Sequence, residues 1–161
     1  YLFYRRRMFR SMDSPGSTPG TVYFALAITA LFALLWRPQG PTDRAAVATA
    51  AAMALTWGDA LAALVGQRYG WHRYKVGRST RSWEGSIAML LATALAIFLV
   101  LTRLPGSALS PLGQPVGTTA ALAAALLGAL AATAVEAIAP HGTDNLSVPL
   151  VAAGVIFLIV G

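Results

Sequence analysis

The chain has 161 residues, 57% of them hydrophobic and only 11% charged, with a formal charge of +6 and a mean hydropathy of +0.63. Soluble domains carry roughly 25% charged residues, so this composition argues against a water-soluble domain, and the lack of cysteine excludes disulfides, thiolate metal sites and cysteine nucleophiles together. No nucleic-acid partner is expected either, because the basic residues lie between apolar spans, where loop topology and phosphate binding explain them better.

In chain order, Tyr1 to Phe3 read as the end of an apolar span and run straight into Arg5, Arg6 and Arg7. That is not the order of a signal peptide, and further helices are expected ahead of Tyr1. Five apolar spans follow: Thr21 to Trp36, Ala45 to Val65, Trp83 to Leu104, Gly117 to Ile138 and Leu146 to Val160. A bilayer core takes about 20 apolar residues per helix, so the first and last are short. Pro15, Pro19 and Gly20 precede the first span, Pro38, Gly40 and Pro41 follow it, and Pro105, Pro111 and Pro115 fill the third loop. The expectation is an all-α, polytopic transmembrane helix bundle of about five full spans plus an N-terminal basic segment. It forms one membrane-embedded domain over residues 1–161, with membrane lipids around it and a homo-oligomer left open.

Lysine and arginine sort by loop. Arg5, Arg6, Arg7, Arg10, Arg68, Arg73, Lys75, Arg78 and Arg81 fall on one side, against Arg37, Arg44 and Arg103 on the other. The richer face is expected to be cytoplasmic. Asp13, Asp59, Glu84, Glu136 and Asp144 map to that same half, and only Asp43 lies outside it. A charge at mid-bilayer costs roughly 2.5 to 3.5 kcal/mol, which makes an intramembrane acid a functional candidate. Asp59 lies seven residues before Gly66, about 10 Å below the loop at 1.5 Å per residue. Its helical neighbours Thr56, Ala62 and Ala63 are small, so its face can line a polar crevice. Glu136 lies on a ridge with Ala124, Gly128 and Ala132 that permits close helix packing and directs it into the bundle.

The informative stretch runs Gly58-Asp59 to Gly66-Gln67-Arg68-Tyr69-Gly70, then Lys75-Val76-Gly77-Arg78-Ser79-Thr80-Arg81-Ser82-Trp83-Glu84-Gly85-Ser86. Moving phosphate needs carboxylates for Mg²⁺, cations for the phosphates, and glycines that let backbone amides approach anions. All three occur here. GxxxxGK[ST] is absent, so this is not a P-loop. Arg81 and Ser82 precede the third span, whose N-terminal amides favour anions, and Ser82 suits the N-cap. From the residues alone the expectation is a phosphate-bearing ligand bound with a divalent cation. His72 and His141 have no partner at metal-ligand spacing and suit interfacial or phosphate-contacting positions. Ser79 and Ser82 lack a neighbouring base and read as caps or phosphate contacts. Trp36, Trp57, Trp71 and Trp83 are expected mostly at span ends.

The order Gly-Asp, Gly-x-x-x-Gly, Ser-Trp-Glu-Gly resembles the phytol kinase and dolichol kinase family, and more distantly the CDP-diacylglycerol synthases; both use CTP. A second block, Val135-Glu136 and then Asp144-Asn145-Leu146-Ser147-Val148-Pro149-Leu150, is similar to the signature of the kinase branch. A third, weaker match runs from Arg10-Ser11 to Pro19-Gly20-Thr21-Val22-Tyr23. The resemblance covers roughly Arg10 to Leu150. Family members usually have lysine where this chain has Arg81, a change that keeps the charge and alters the contact geometry.

The resemblance implies transfer of the γ-phosphate of CTP, or another nucleoside triphosphate, to an isoprenoid alcohol such as phytol, geranylgeraniol or dolichol, on the cytoplasmic face. Asp59, with Glu84 or Asp144, would hold Mg²⁺, and Asp59 or Glu136 would serve as base. Lys75, Arg78 and Arg81 would stabilise the phosphates, with Gly66, Gly70, Ser79, Ser82, Gly85 and Asn145 completing the nucleotide site. The alternatives are a CDP-lipid synthase, which would release pyrophosphate, and a cation-coupled transporter using the same intramembrane acids.

Overall fold

The computed structural model describes residues 20–37, 43–76, 79–140 and 142–161. Within them lie five helices and one hairpin: α1 Gly20–Leu35, α2 Ala45–Tyr69, β1 Arg73–Val76, β2 Ser79–Ser82, α3 Trp83–Arg103, α4 Thr118–Ile138 and α5 Asp144–Val160. Each expected span coincides with a helix to within about four residues. Three of them, α2, α3 and α4, have 25, 21 and 21 residues and are long and apolar enough to cross a membrane. The other two are apolar but have only 16 and 17 residues, about 24–26 Å at 1.5 Å per residue against a hydrocarbon core of about 30 Å.

Buried residues recur at helical spacing. On α3 they are Gly85, Met89, Thr93, Ile97 and Leu101, one every four residues. On α4 they are Ala121, Ala124, Ala125, Gly128, Ala129, Ala132 and Glu136. The core is alanine-rich, with Ala48, Ala51, Ala54, Ala124 and Ala152 around Met89, Ile97, Leu101 and Ile156. Small side chains let backbones approach where lipid provides no hydrophobic drive between helices. A methyl at Gly128 would stand 3.2 Å from Ile97 and 3.3 Å from Ile156. The opposite faces carry exposed Leu91, Leu95, Leu126, Leu130 and Leu158, as a lipid-facing surface requires, and together with the three long helices they mark an integral membrane protein.

Two features were not foreseen. The expected loop of residues 66–82 is partly helix and partly an antiparallel hairpin with Arg73 opposite Ser82 and Val76 opposite Ser79. Four-residue strands of mostly polar residues lack the hydrophobic alternation that reveals a strand. Within α2, residues Ala54–Asp59 adopt π-helical turns, a feature frequent at functional sites. One extra residue in a turn rotates the downstream part of the helix by about 100°, which separates Asp59 from Thr56. Thr56 is exposed and bonds back to the Ala52 carbonyl at 2.8 Å. Trp57, expected at a span end, lies mid-helix and exposed.

Polar contacts join the loops in two sets. At one end Asp43 accepts from Ser110 at 2.5 Å, and the Arg44 guanidinium stands 4.3 Å from the Phe157 ring centroid. At the other, Arg81 reaches Ala139 and Asp144 and His72 meets Glu84. The alternation read from the loops thus has a physical counterpart in which loops pair.

Candidate active site at the hairpin end of the bundle

A cavity of about 390 Å³ opens at the hairpin end, within the range of about 300–1,000 Å³ typical of small-molecule sites. Asp59, Ala62, Ala63, Gly66 and Gln67 of α2 form one wall, and Ser82, Gly85 and Ser86 at the start of α3 another. The hairpin contributes Arg73, Thr80 and Arg81, and Glu136 and Asp144 close the α4–α5 corner.

Close helix approach shapes the walls. A Cβ on Gly85 would come within 2.8 Å of the Ala62 carbonyl and 3.3 Å of the Gly66 Cα, and one on Gly66 within 3.0 Å of Ser82 Oγ. These glycines therefore have a packing role: they let α2 and α3 meet under the cavity. Gly70 serves the same junction, since a Cβ there would stand 2.8 Å from Ser82 Oγ, but it does not line the cavity. Ser82 caps α3, its Oγ accepting from the Gly85 amide at 3.1 Å, and this orients the helix N-terminus, with its partial positive charge, along the wall.

Arg81 is central. Its side chain is 11% exposed and ion-pairs with Glu136, itself 11% exposed. It also stands 3.5 Å from Asp144 and donates to the Ala139 carbonyl at 3.2 Å. Asp59, the third carboxylate, has no hydrogen-bond or ion-pair partner among the described residues. Asp59, Glu136 and Asp144 against Arg73 and Arg81 leave one formal negative charge in a partly buried site, an arrangement that favours a cation.

Among the described residues no three His, Asp or Glu side chains form a ready-made metal cage. Mg²⁺ does not need one, because it is usually held by one or two carboxylates with phosphate and water oxygens completing its shell. The hard oxygen donors Asp59 and Asp144 fit that mode.

Not every residue singled out in the sequence lines this cavity. Glu84 instead accepts from the His72 amide at 3.2 Å and meets His72 Nδ1 at 2.7 Å, so its carboxylate is not grouped with Asp59. Lys75 is an exposed strand residue, and Asn145 does not line the cavity, its backbone N–H donating to the Asp144 carboxylate at 2.9 Å. Arg78 and His141, like Arg5, Arg6, Arg7, Arg10 and Asp13, lie outside the described residues, and Ser79 is described only as a strand position opposite Val76. Gln67, Thr80 and Ser86 were not anticipated, and Arg73 was only counted among the basic residues. Ser86 stands four residues after Ser82, so helical spacing from a cap residue could have found it; Tyr74 holds its hydroxyl at 2.8 Å.

No protein-family model matches this chain, and no solved structure is similar to it. Among curated proteins it is 35% identical over 150 residues to a phytol kinase from Synechocystis sp., an alignment that covers 92% of this chain. The chain spans 58% of that relative's length. With similarity over nearly its whole length, including both motif blocks whose carboxylates meet in the cavity, the chain belongs to the phytol kinase and polyprenol kinase family.

Proposed function

We propose that this chain is a multi-pass membrane kinase that transfers the γ-phosphate of a nucleoside triphosphate, CTP foremost, to the hydroxyl of an isoprenoid alcohol such as phytol, geranylgeraniol or dolichol. The observation that carries this reading is the cavity lined together by Asp59, Glu136, Asp144 and Arg81, in a chain 35% identical to a phytol kinase. All five helices cross the membrane, the bilayer thinning slightly at α1 and α5. The excess of Arg68, Arg73, Lys75 and Arg81 at this end supports a cytoplasmic cavity, with nucleotide entering from water and the alcohol from between helices.

Phosphoryl transfer asks mainly for positioning and charge stabilisation. Arg81 and Arg73 contact the triphosphate, and the partial positive charge at the α3 N-terminus adds to their field. Asp59 and Asp144 would hold Mg²⁺, which when bound would screen the charge on the phosphate oxygens. As the alcohol oxygen bonds to the γ-phosphorus and the nucleoside diphosphate leaves, the Asp59 carboxylate accepts the hydroxyl proton.

The test is turnover by purified protein with CTP, Mg²⁺ and each of the three alcohols. The expected products are CDP and the alkyl phosphate, and Asp59→Asn should lower kcat at least about 10²-fold. Pyrophosphate release would move the assignment to CDP-lipid synthesis, and unchanged turnover in Asp59→Asn would remove that residue from the site.

A further inference from the structure

Glu136 differs from the other two cavity carboxylates in what it touches. Asp59 is unpaired among the described residues, and Asp144 stands 3.5 Å from Arg81. Glu136, by contrast, is in direct ion-pair contact with the guanidinium, with both side chains 11% exposed. Among the described residues, Arg81 supplies every polar contact between the hairpin and the α4–α5 corner: Glu136, Ala139 and Asp144. The rest of the hairpin end is tied to α3, through Tyr74–Ser86 and His72–Glu84. Glu136 itself is fixed at the end of the small-residue ridge that packs α4 into the bundle. It is therefore a rigid anchor facing a guanidinium on a two-stranded ribbon, and such a ribbon is only marginally stable alone.

We propose that Glu136 is a positioning residue, which fastens Arg81 and with it the β1–β2 hairpin to the bundle so that the guanidinium meets the nucleotide phosphates from a preset direction. This rests on reading the cavity as the nucleotide site. Glu136 then acts through Arg81 and does not touch the reacting atoms.

The test uses the full chain with Glu136→Gln, Arg81→Gln and the pair, read by amide hydrogen exchange over Arg73–Ser82 and by binding of a fluorescent CTP analogue. Either single variant should speed hairpin exchange about 10-fold, the double variant should add nothing because the same fastening is already lost, and exchange within α3 should be unchanged. Glu136→Gln should weaken analogue binding and raise KM about 10-fold with kcat within about 3-fold, the pattern of lost binding and not of lost chemistry. Glu136→Asp, which keeps the charge, should return both readouts toward wild type. Unchanged hairpin exchange in Glu136→Gln would overturn the proposal, as would a fall in kcat at constant KM. If the wild type phosphorylates no alcohol, the kinase reading fails while hydrogen exchange still decides the fastening; where Glu136→Gln does not fold, Glu136→Met, which keeps the side-chain volume and removes the carboxylate, decides it by the same readout.

Discussion

Gly58, which immediately precedes Asp59, lies against α3 within the π-helical segment. A Cβ there would stand 2.3 Å from Thr93 Oγ1 and 3.3 Å from Met89 Cγ, and both residues are fully buried. Ordinary contact begins about 1 Å further out, so Gly58→Ala forces one of two adjustments. Thr93 can rotate and give up its bond to the Ala54 carbonyl at 3.4 Å, which costs about 1 kcal/mol for the bond and more for a carbonyl left buried. Alternatively the helices part, at about 1–3 kcal/mol for overpacking. The better helix propensity of alanine returns at most about 1 kcal/mol, leaving a net loss of up to about 3 kcal/mol.

The assay is thermal unfolding at fixed detergent for Gly58→Ala, Thr93→Ala and the double variant. Thr93→Ala alone should be modestly destabilising. Because it removes the oxygen that blocks the new methyl, the double variant should be more stable than the sum of the singles by at least about 1 kcal/mol. Strict additivity, or a Gly58→Ala protein as stable as wild type, would refute the claim that this glycine exists to let α2 and α3 close up beneath Asp59.

At the opposite end, burial works to raise the Asp43 pKa, but the Ser110 hydroxyl and the Arg37 and Ala45 amides outweigh it and hold the carboxyl below its ordinary range. A depressed folded value gives stability that is present above the unfolded pKa of about 3.9 and lost as pH falls through the folded one. Unfolding scans should therefore show an acid loss of stability below about pH 4 that is shallower in Asp43→Asn, and parallel slopes would contradict the clasp. Ser82→Ala removes the α3 cap and should cost about 0.5–2 kcal/mol, seen as a lower unfolding temperature; Ser82→Asn should restore most of it. Gly85→Ala must displace the Ala62 carbonyl and should weaken nucleotide binding at least as strongly as it lowers stability.

Those sites differ in how visible they are from the sequence. The helices were readable because apolar runs of 15 or more residues between prolines and loop arginines admit few other structures. Asp59 and Glu136 were readable because an acid inside an apolar span is costly and needs a reason, whereas Asp144, two residues ahead of the Leu146–Val160 span, stood out only through the motif block it opens. Glu84 satisfied the same motif logic yet turned to His72, since a helix's first turn offers several directions and sequence spacing does not choose between them. The π-helical turns escaped because apolar periodicity does not tell them from α-helix; the carbonyl of Ala54, where they begin, meets the Thr93 hydroxyl, 39 residues away in sequence. Thr56 was accordingly assigned to the wrong face. The glycines were located correctly and read incompletely: anion binding and close helix approach ask for the same residue, and only the partner atoms separate the two.

The placement of the charges follows from the cost of burying them. Three carboxylates on three different helices, α2, α4 and α5, share one pocket at lower cost when a cation stands among them, and Arg81 provides it. Because Arg81 belongs to a hairpin and not to a spanning helix, its backbone is not fixed by bundle packing. A lysine there would supply the same charge through a single ammonium, whereas arginine offers several donors in a fixed fork and can contact Glu136, Ala139 and Asp144 at once. Arginine at this position thus offers the hairpin a more directional attachment than a lysine would, and in Arg81→Lys the hairpin should exchange faster even though the net charge of the cavity is unchanged.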